Sequence, residues 1–266
     1  MAVTVLVAAL EQDVAALIKQ MQIRTDAVIV NQCNHDGEEV LSQNGREIRV
    51  QSMNDRGVGK SRNAAIRQAL TMPGEILLFS DQDIVYEDGY EAAMDAEFAA
   101  HPEADMILFN IKVAEERATY HTKAWKRVKW YNCGRYGAVS FAIRKEMLKE
   151  CGVQFSLLYG GGAKYSAGED SLFLKALMDQ GVRVYASPVL IGTESAGEST
   201  WFRGYGEKFF FDRGALYQDL YGMMAKPWAL RFLLAHRDKL CTEMTWQQAY
   251  RVMKRGMKER RTSIEA

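Results

Sequence analysis

Two carboxylates one residue apart, Asp81 and Asp83, are the first groups in this sequence whose spacing suggests chemistry. They follow the apolar run Ile76-Leu77-Leu78-Phe79, which is short and strand-prone enough to predict a buried strand. Carboxylate oxygens are preferred ligands of hard divalent cations such as Mg²⁺ and Mn²⁺. An isolated Asp-x-Asp pair also occurs in ordinary turns, so this pair alone leaves both interpretations open.

A second acidic pair, Glu169 and Asp170, follows the glycine-rich stretch that starts at Gly160-Gly161-Gly162. A helix is predicted to begin at this pair. Acidic residues at a helix start are often caps that the helix dipole favours, but a carboxylate can also act as a general base. Two acidic pairs, each at the end of an element, predict a functional site more strongly than either pair does alone.

The elements that must position these carboxylates alternate between strands and helices. Apolar runs predict strands at 3–8, 27–30, 47–51, 76–79, 105–113, 138–143 and 182–186, and Pro188 is expected to close the last one. Helical periodicity predicts helices at 14–21, 60–70, 91–100, 145–151 and from 168 to about 180. This order predicts an α/β fold with a mostly parallel central sheet flanked by helices. Ligands of such sheets bind at the carboxyl ends of the strands, where Asp81 and Asp83 are expected.

Composition narrows the functional class. The chain has 266 residues, 48% of them hydrophobic, and its 34 basic and 34 acidic residues give a net charge of zero, which argues against a nucleic-acid-binding protein. Its four cysteines are scattered without Cys-x-x-Cys spacing, which favours reduced thiols. The stretch 1–10 has no basic residue and therefore lacks the mark of a secretory signal. We expect a cytoplasmic protein.

The segment Gly57-Val58-Gly59-Lys60-Ser61 ends like a phosphate-binding loop. The full pattern needs a glycine three residues before Gly57, and Asn54 occupies that position. We therefore expect a simple turn before a helix. A nucleotide-binding phosphotransferase that uses this loop remains the alternative function.

The order of these motifs resembles that of the family 2 glycosyltransferases, which have the GT-A fold. The resemblance covers about residues 3 to 190 and is carried by four segments, which are 3–8, 54–65, the strand with Asp81-Gln82-Asp83, and the stretch from Tyr159-Gly160-Gly161-Gly162 to Gly168-Glu169-Asp170. A later run, from Ser199-Thr200-Trp201-Phe202 to Phe209-Phe210-Phe211-Asp212-Arg213-Gly214, is similar to small soluble members that build bacterial surface polysaccharides.

The resemblance implies a domain organisation as well as a fold. A GT-A (Rossmann-like) catalytic domain is expected at 1–195, with a donor half at about 1–115 and an acceptor half at about 116–195. A loop and helical extension at 196–266 would follow it. The implied activity is transfer of a sugar, with inversion, from a nucleotide-diphosphate donor (we expect a UDP-sugar) to a glycan or lipid-linked acceptor. A carbohydrate-binding protein that kept this fold and lost catalysis is a further alternative.

The resemblance also implies residue roles. Asp83 would coordinate Mn²⁺ or Mg²⁺, with Asp81 facing both the ribose and the metal shell. Asp170 would be the general base for the acceptor hydroxyl, and Glu169 would help to hold the acceptor. The remaining implied contacts are Ala8, Asn31 and Asn54 for the nucleotide, Lys60 or Arg62 for its phosphates, and Gly161 and Gly162 for the acceptor.

The sequence departs from the family pattern at two places. Many members have an aspartate at the end of the second strand, where this chain has Asn31-Gln32. Many also have a histidine metal ligand after the last strand, where this chain has Ile191-Gly192-Thr193-Glu194-Ser195. Glu194 or Glu198 are candidates to replace that histidine, and placement of both on the surface is the alternative.

The stretch 120–136 mixes aromatic and basic residues and interrupts the α/β pattern. Such a mixture suits sugar rings and the anionic diphosphate of a lipid carrier, and it is also typical of single-stranded nucleic-acid sites. Because the net charge is zero, we favour an acceptor loop with Trp130 and Tyr136 as contacts, and no nucleic-acid partner. Plain packing is the alternative for Trp130.

The carboxyl-terminal stretch is basic. Between Lys226 and Arg261 it has ten Lys or Arg residues and three Asp or Glu residues, a local charge of about +7 (10 − 3). Apolar residues among these cations predict a helix that either lies on an anionic membrane surface or packs on the catalytic domain. Peripheral attachment at the inner face of the cell membrane is therefore one expected location.

Overall fold

The computed structural model describes residues 1–113, 120–195 and 204–265. Its strands are β1 (Val3–Leu10), β2 (Asp26–Gln32), β3 (Gly37–Gln43), β4 (Arg46–Met53), β5 (Ile76–Asp81), β6 (Ile84–Tyr86), β7 (Met106–Lys112), β8 (Lys126–Arg127), β9 (Phe141–Arg144) and β10 (Val184–Glu194). Its helices are α1 (Val14–Gln20), α2 (Val58–Ala69), α3 (Tyr90–Ala100), α4 (Lys145–Cys151), α5 (Glu169–Asp179), α6 (Glu207–Tyr221), α7 (Ala225–Leu240) and α8 (Trp246–Glu265).

One sheet connects the strands in the order β3-β4-β2-β1-β5-β9-β7-β10-β6, and β8 pairs with β10. β4, β2, β1 and β5 are parallel neighbours, as are β7 and β10, while β9 runs antiparallel between β5 and β7. The predicted mixed, mostly parallel α/β sheet is therefore confirmed. The carboxyl ends of β1, β2 and β5 lie side by side and form the edge on which the candidate site is built.

Apolar side chains alternate along the central strands and form two cores, one on each face of the sheet. On β5, Leu77 and Phe79 face the core that includes α2, α5 and the carboxyl-terminal helices, while Ile76 and Leu78 face the core of α1 and α3. Burial on both faces explains why the strand reads as a continuous apolar run. The strand can therefore end in carboxylates only at its exposed tip.

The strands of the structure differ from the predicted ones at several places. The predicted strand at 182–186 does not end at Pro188, because β10 continues to Glu194 across two register shifts between Ala186 and Gly192. A bulge tolerates a proline in a strand, and the Pro188 carbonyl accepts a 3.0 Å hydrogen bond from the Asn110 side chain. The predicted strand at 138–143 begins with a 3₁₀ turn, and β3, an exposed edge strand, lies in a part of the chain where no strand was predicted.

The carboxyl-terminal helices pack on the sheet domain. α8 buries Ala249, Val252, Met253 and Met257 in the same core that contains Phe173 of α5, and its basic residues lie mostly on the opposite, exposed side. The apolar face of this basic helix is therefore occupied by protein. No helix within the described residues is both long and apolar enough to cross a membrane.

Two parts of the sequence interpretation lie outside the described residues. They are Glu198 and the run Ser199-Thr200-Trp201-Phe202.

The contact between α6 and α8 depends on two glycines. A Cβ atom on Gly214 would lie 2.1 Å from the carbonyl oxygen of Met253, and one on Gly256 would lie 2.1 Å from the carbonyl oxygen of Phe211. Neither position has room for a methyl group, so the two helix backbones meet directly.

Gly256→Ala tests this close contact. At an exposed helix position Gly→Ala stabilises by about 1 kcal/mol, but here we expect a loss of about 2 kcal/mol because the added methyl must push the helices apart. Thr262→Ala, on the exposed side of the same helix, is the control and should change the stability by less than about 0.5 kcal/mol. Urea unfolding measures both, and a stabilised Gly256→Ala variant would contradict the packing.

Candidate active site

The candidate site is built around Arg62, an arginine of α2 that contacts three carboxylates. Its Nη1 atom lies 2.7 Å from Oδ1 of Asp170 and 3.2 Å from Oε1 of Glu169, and its Nη2 atom lies 3.0 Å from Oδ1 of Asp81. The Arg62 side chain is only 5% exposed. A single guanidinium therefore joins the end of β5 to the start of α5 and brings parts of both acidic motifs together.

The helical repeat of α2 explains why Arg62 points inward. Arg62, Ile66 and Ala69 recur at helical spacing and are all buried. The guanidinium also lies 5.3 Å from the centre of the Phe155 ring, where a cation is attracted to the aromatic face. Burial alone lowers the pKa of an arginine, but the charges of the three carboxylates outweigh it and raise the Arg62 pKa above its ordinary value. Arg62 is therefore a permanent cation inside the site.

Backbone N–H groups fix the two carboxylates that begin α5. Ala138 N–H donates to Oδ2 of Asp170 over 3.0 Å, and Gly168 N–H donates to Oε2 of Glu169 over 3.0 Å. Burial raises the pKa of both carboxyls, while the charge of Arg62 acts in the opposite direction. The pKa of Glu169 reaches about 7, because the charge of Asp170 adds to the effect of burial. Carboxylates with raised pKa values suit proton transfer near neutral pH.

A further acidic pair lies beside Asp81. The antiparallel pairing of β10 with β6 sets Glu194 opposite Ile84, and Ser195 N–H donates to the Asp83 carbonyl over 2.7 Å. Burial, together with the charges of Asp81 and Glu194, raises the pKa of the Asp83 carboxyl to about 6. The unexpected continuation of β10 past Pro188 is what brings Glu194 to Asp83.

The chemistry of this pair fits a hard divalent cation. Oxygen donors and crowded negative charge are what Mg²⁺ and Mn²⁺ sites provide, and a cation would relieve the repulsion that raises the Asp83 pKa. Within the described parts of the chain, no three His, Cys, Asp or Glu side chains are grouped as a complete metal site. A cation at Asp83 and Glu194 would therefore take its remaining ligands from diphosphate and water oxygens, as Mg²⁺ commonly does.

Two of the predicted nucleotide contacts lie at the carboxyl edge of the sheet. Ala8 is paired with Asp81 across β1 and β5. The Asn31 side chain accepts a 3.1 Å hydrogen bond from Gln12 N–H and donates a 2.9 Å bond to the Gln12 carbonyl. Asn31 therefore holds the loop that follows β1, and its amide is already engaged by the backbone.

Lys60 and Asn54 lie farther out on the same edge. The Lys60 ammonium forms a 2.7 Å ion pair with Asp55, and both side chains are about half exposed. The backbone N–H of Asn54 donates to Asp36 over 2.8 Å. The structure therefore places Arg62, rather than Lys60, at the carboxylates.

The loop before α2 differs from a phosphate-binding loop. Gly57 N–H donates to the side chain of Gln32 over 2.7 Å, and Val58 N–H donates to the carbonyl of Gly161 over 3.0 Å. A phosphate-binding loop leaves such N–H groups free for the ligand. The glycines of this segment instead fasten α2 to its neighbours.

The predicted acceptor residues fall into two groups. Gly161 and Gly162 lie against the start of α2, where a Cβ on Gly162 would come within 3.1 Å of Gly57 Cα. Tyr136 is two residues from Ala138, whose N–H holds Asp170, and its ring meets the Tyr120 ring edge-on at 5.5 Å. These residues border the carboxylate cluster.

Trp130 is not brought to that cluster. Its ring packs edge-on against Tyr221 and Trp228, with centroids 6.1 and 6.0 Å away. It lines a cavity with Asp179, the last residue of α5, whereas Asp170 lies in the first turn of that helix. Asp170 and Asp179 are separated by about 14 Å along α5, so Trp130 lies at the far end of this helix from the predicted base.

From the sequence, Arg62 is expected only as a candidate phosphate contact, and its pairing with three carboxylates is not predicted. The helical spacing of α2 nevertheless contains a sign of this pairing. A charged residue in the same helical stripe as Ile66 and Ala69 must be buried, and a buried arginine needs carboxylate partners. The backbone contact from Ala138 has no signal in the sequence, because any residue except proline supplies it.

Replacing Arg62 with methionine tests whether it holds the cluster together. Near neutral pH, Arg62→Met should lower the free energy of unfolding by about 3 kcal/mol, because three partly buried carboxylates lose the cation that they share. Without Arg62 the folded-state pKa values of Glu169 and Asp170 rise further, so the stability of the variant falls as pH rises and should recover toward about pH 5. Urea unfolding at both pH values measures this, with Lys60→Met as the exposed control. An equal loss at the two pH values would contradict the electrostatic role.

Comparison with known proteins gives structural relatives only. No protein-family model and no curated protein matches the sequence. Residues 1–349 of S. aureus TarS, in complex with UDP-GlcNAc, align with a TM-score of 0.61 and 18% identity over 91% of this chain and 74% of that one. The mannosyltransferase PcManGT from Pyrobaculum calidifontis, in complex with GDP-Man and Mn²⁺, aligns with a TM-score of 0.50 and 15% identity over 98% of this chain and 75% of that one. At these identities the likeness concerns the fold, which is the mixed α/β fold of GT-A glycosyltransferases.

Proposed function

We propose that the protein is a nucleotide-sugar-dependent glycosyltransferase of the hexosyltransferase class. The observation that carries the proposal is the cluster in which Arg62 holds Asp81 of β5 and Asp170 of α5 at the carboxyl edge of the sheet. The solved structures with this fold support it, because TarS is in complex with UDP-GlcNAc and PcManGT with GDP-Man. The family 2 resemblance of the sequence agrees with both.

Asp170 is the proposed general base. It is held by Arg62 and by Ala138 N–H, and its side chain is still 24% exposed, so an acceptor hydroxyl can reach it. Transfer of the hydroxyl proton to Asp170 lets the acceptor oxygen attack the anomeric carbon from the side opposite the diphosphate. One base and one direct displacement invert the anomeric centre. Glu169 orients the acceptor beside it.

Asp83 and Glu194, with Asp81 beside them, are the proposed holders of Mn²⁺ or Mg²⁺. When bound, such a cation supplies Lewis-acid stabilisation of the charge that develops on the leaving diphosphate. Asp81 has about a third of its side chain exposed and would face the donor ribose. The chain's own cation, Arg62, is occupied by the carboxylates and therefore positions them rather than the phosphates.

The donor that we propose is a UDP-sugar, bound along the ends of β1 and β2 near Ala8. The acceptor would be a glycan or a lipid-linked saccharide in bacterial surface polysaccharide synthesis, bound on the side of Tyr136, Gly161 and Gly162. The location that we propose is the cytoplasm, at the inner face of the cell membrane. The engaged N–H groups of Gly57 and Val58 weigh against the phosphotransferase alternative.

Asp170→Asn tests the base assignment. The amide keeps the shape of the side chain but cannot accept the proton, so transfer should fall at least about a hundredfold while donor binding is retained. Asp179→Asn, at the exposed far end of the same helix, is the matched control and should keep full activity. Transfer is followed as release of UDP in the presence of Mn²⁺, and full activity of Asp170→Asn would exclude it as the base.

Thermal shifts with nucleotides separate the candidate functions. UDP or a UDP-sugar with Mn²⁺ should raise the melting temperature, and ATP should not. Stabilisation by ATP alone would favour a phosphotransferase, and no response to any nucleotide would favour a carbohydrate-binding protein without catalysis.

Asp83→Asn tests the cation site through the pH dependence of stability. Burial raises the pKa of Asp83 to about 6 from an ordinary value of 3.8, so the folded state holds this proton more tightly than the unfolded chain. The ionised group therefore costs stability above about pH 6 and nothing below about pH 4. With a chelator present, Asp83→Asn should gain about 1–2 kcal/mol near pH 7.5, after allowance for partial exposure, and nothing at pH 4.

The same two proteins test the cation directly. Mn²⁺ should stabilise the wild-type protein at neutral pH and have little effect on Asp83→Asn. Equal stabilisation of both by Mn²⁺ would place the cation elsewhere.

A further inference from the structure

Four large apolar side chains are exposed together where α6 turns into α7, and we call this group the α6–α7 tip. It consists of Trp130, Tyr131, Met223 and Met224, whose side chains are 46%, 50%, 99% and 54% exposed. Met223 is the most exposed large hydrophobic residue among those that the structure describes. Single exposed apolar residues are ordinary, but a contiguous group of this kind marks a contact surface.

Partly buried aromatic neighbours hold the tip in shape. The Tyr221 ring stacks on the Trp228 ring at 5.2 Å, and the Trp130 ring meets both edge-on. Gly222 reverses the chain with a positive φ of 52° and presents both methionines beyond this aromatic base. The apolar surface is therefore a built protrusion.

Cations surround the tip. A cavity of about 570 Å³ beside Trp130 is lined by Arg127, Lys129 and Lys175 and by two acidic residues. Both acidic residues are already paired, Asp179 with Lys175 and Asp219 with Arg260.

Arg127 and Lys129 have no ion pair with any carboxylate of the described residues. On the other side of the tip, Lys226 is exposed, and the Arg231 guanidinium lies 5.0 Å from the centre of the Trp228 ring. The surface therefore combines protruding apolar groups with an excess of positive charge.

We propose that the α6–α7 tip docks the protein on an anionic phospholipid bilayer. Methionine side chains would enter the acyl boundary, Trp130 and Tyr131 would lie at headgroup level, where amphipathic rings are favoured, and the cations would meet anionic headgroups. A symmetric contact with a second copy would instead bring the same cations of both copies together, which the charge pattern disfavours. The proposal concerns binding only and does not depend on the reaction.

This docking surface differs from the one expected from the basic carboxyl-terminal run. The apolar face of α8 packs on α6, and several of its cations are paired within the protein, as in the contacts of Arg255 with Glu207 and Arg260 with Asp219. The tip instead borders the cavity that Asp179 lines at the end of α5, and Asp170 lies in the first turn of that helix, about 14 Å away along its axis. A bilayer at the tip would leave the catalytic edge open to a saccharide that extends from the membrane.

Sedimentation of the full chain with vesicles tests the proposal. The protein should bind vesicles of phosphatidylglycerol and phosphatidylcholine in equal parts and should not bind pure phosphatidylcholine. Met223→Ser combined with Met224→Ser, and separately Lys129→Glu, should each weaken binding about tenfold. All these side chains are exposed, so thermal unfolding is expected to be unchanged.

Two controls make the result specific. Lys254→Glu makes the same charge change on the exposed face of α8, and Val40→Thr removes an apolar side chain that is 66% exposed on the edge strand β3; both should bind like the wild type. Loss of binding in Lys254→Glu equal to that in Lys129→Glu would assign the membrane contact to α8. Absence of vesicle binding, together with a concentration-dependent dimer that the methionine changes disrupt, would make the tip an interface between copies and overturn the proposal.

Discussion

A buried guanidinium that three carboxylates share is the interaction on which this structure depends. Arg62 is 5% exposed, and a charge that is removed from water in this way is stable only when opposite charges and hydrogen bonds replace the solvent. Its partners come from β5 and from the start of α5, so the same contact that neutralises the arginine also fixes the relative position of the sheet and this helix. The Nε atom of Arg62 is buried and has no acceptor among the described residues.

One cation does not balance the acidic groups at this edge. Asp81, Asp83, Glu169, Asp170 and Glu194 approach one another, and burial with mutual repulsion raises the pKa of Asp83 to about 6 and of Glu169 to about 7. A stable fold without a function would have no reason to collect these charges. The uncompensated negative charge lies at Asp83 and Glu194, where a donor diphosphate would bring its cation. Asp170, on the other side, is paired with the positive charge of Arg62. In the proposed function, the uneven placement of one arginine would leave one side of the site for a cation and the other for the acceptor proton.

The fold was largely predictable because its strands are buried on both faces and its helices repeat apolar residues at helical spacing. The strand predictions failed where hydrogen bonding between backbones, and not the pattern of apolar side chains, determines where a strand begins and ends. β3 is an exposed edge strand whose residues carry no apolar alternation, and β10 passes Pro188 because the neighbouring Asn110 side chain bonds to the carbonyl there.

The sequence predicted the acidic motifs of the candidate site, but it did not predict which residues contact them. Asp81 and Asp170 stand out in the sequence, but only the folded chain shows that Arg62 lies between them. The sequence could not place Trp130, because exposed aromatic residues beside cations suit a sugar and a membrane equally well. Only the folded chain shows that Trp130 lies at the far end of α5 from Asp170.

The carboxyl-terminal helices are part of the active-site framework as well as a surface. Asp212 of α6 accepts hydrogen bonds from the backbone and side chain of Ser166, and Asp219 accepts one from the Tyr159 hydroxyl while it pairs with Arg260 of α8. Gly168, with a φ of 123°, packs against Leu216 so closely that a Cβ would lie 2.5 Å from it. The loop that delivers Glu169 and Asp170 is therefore fastened at both ends to α6. Because α6 is in turn locked to α8 through Gly214 and Gly256, a residue at the far end of the chain helps to set the position of the proposed base.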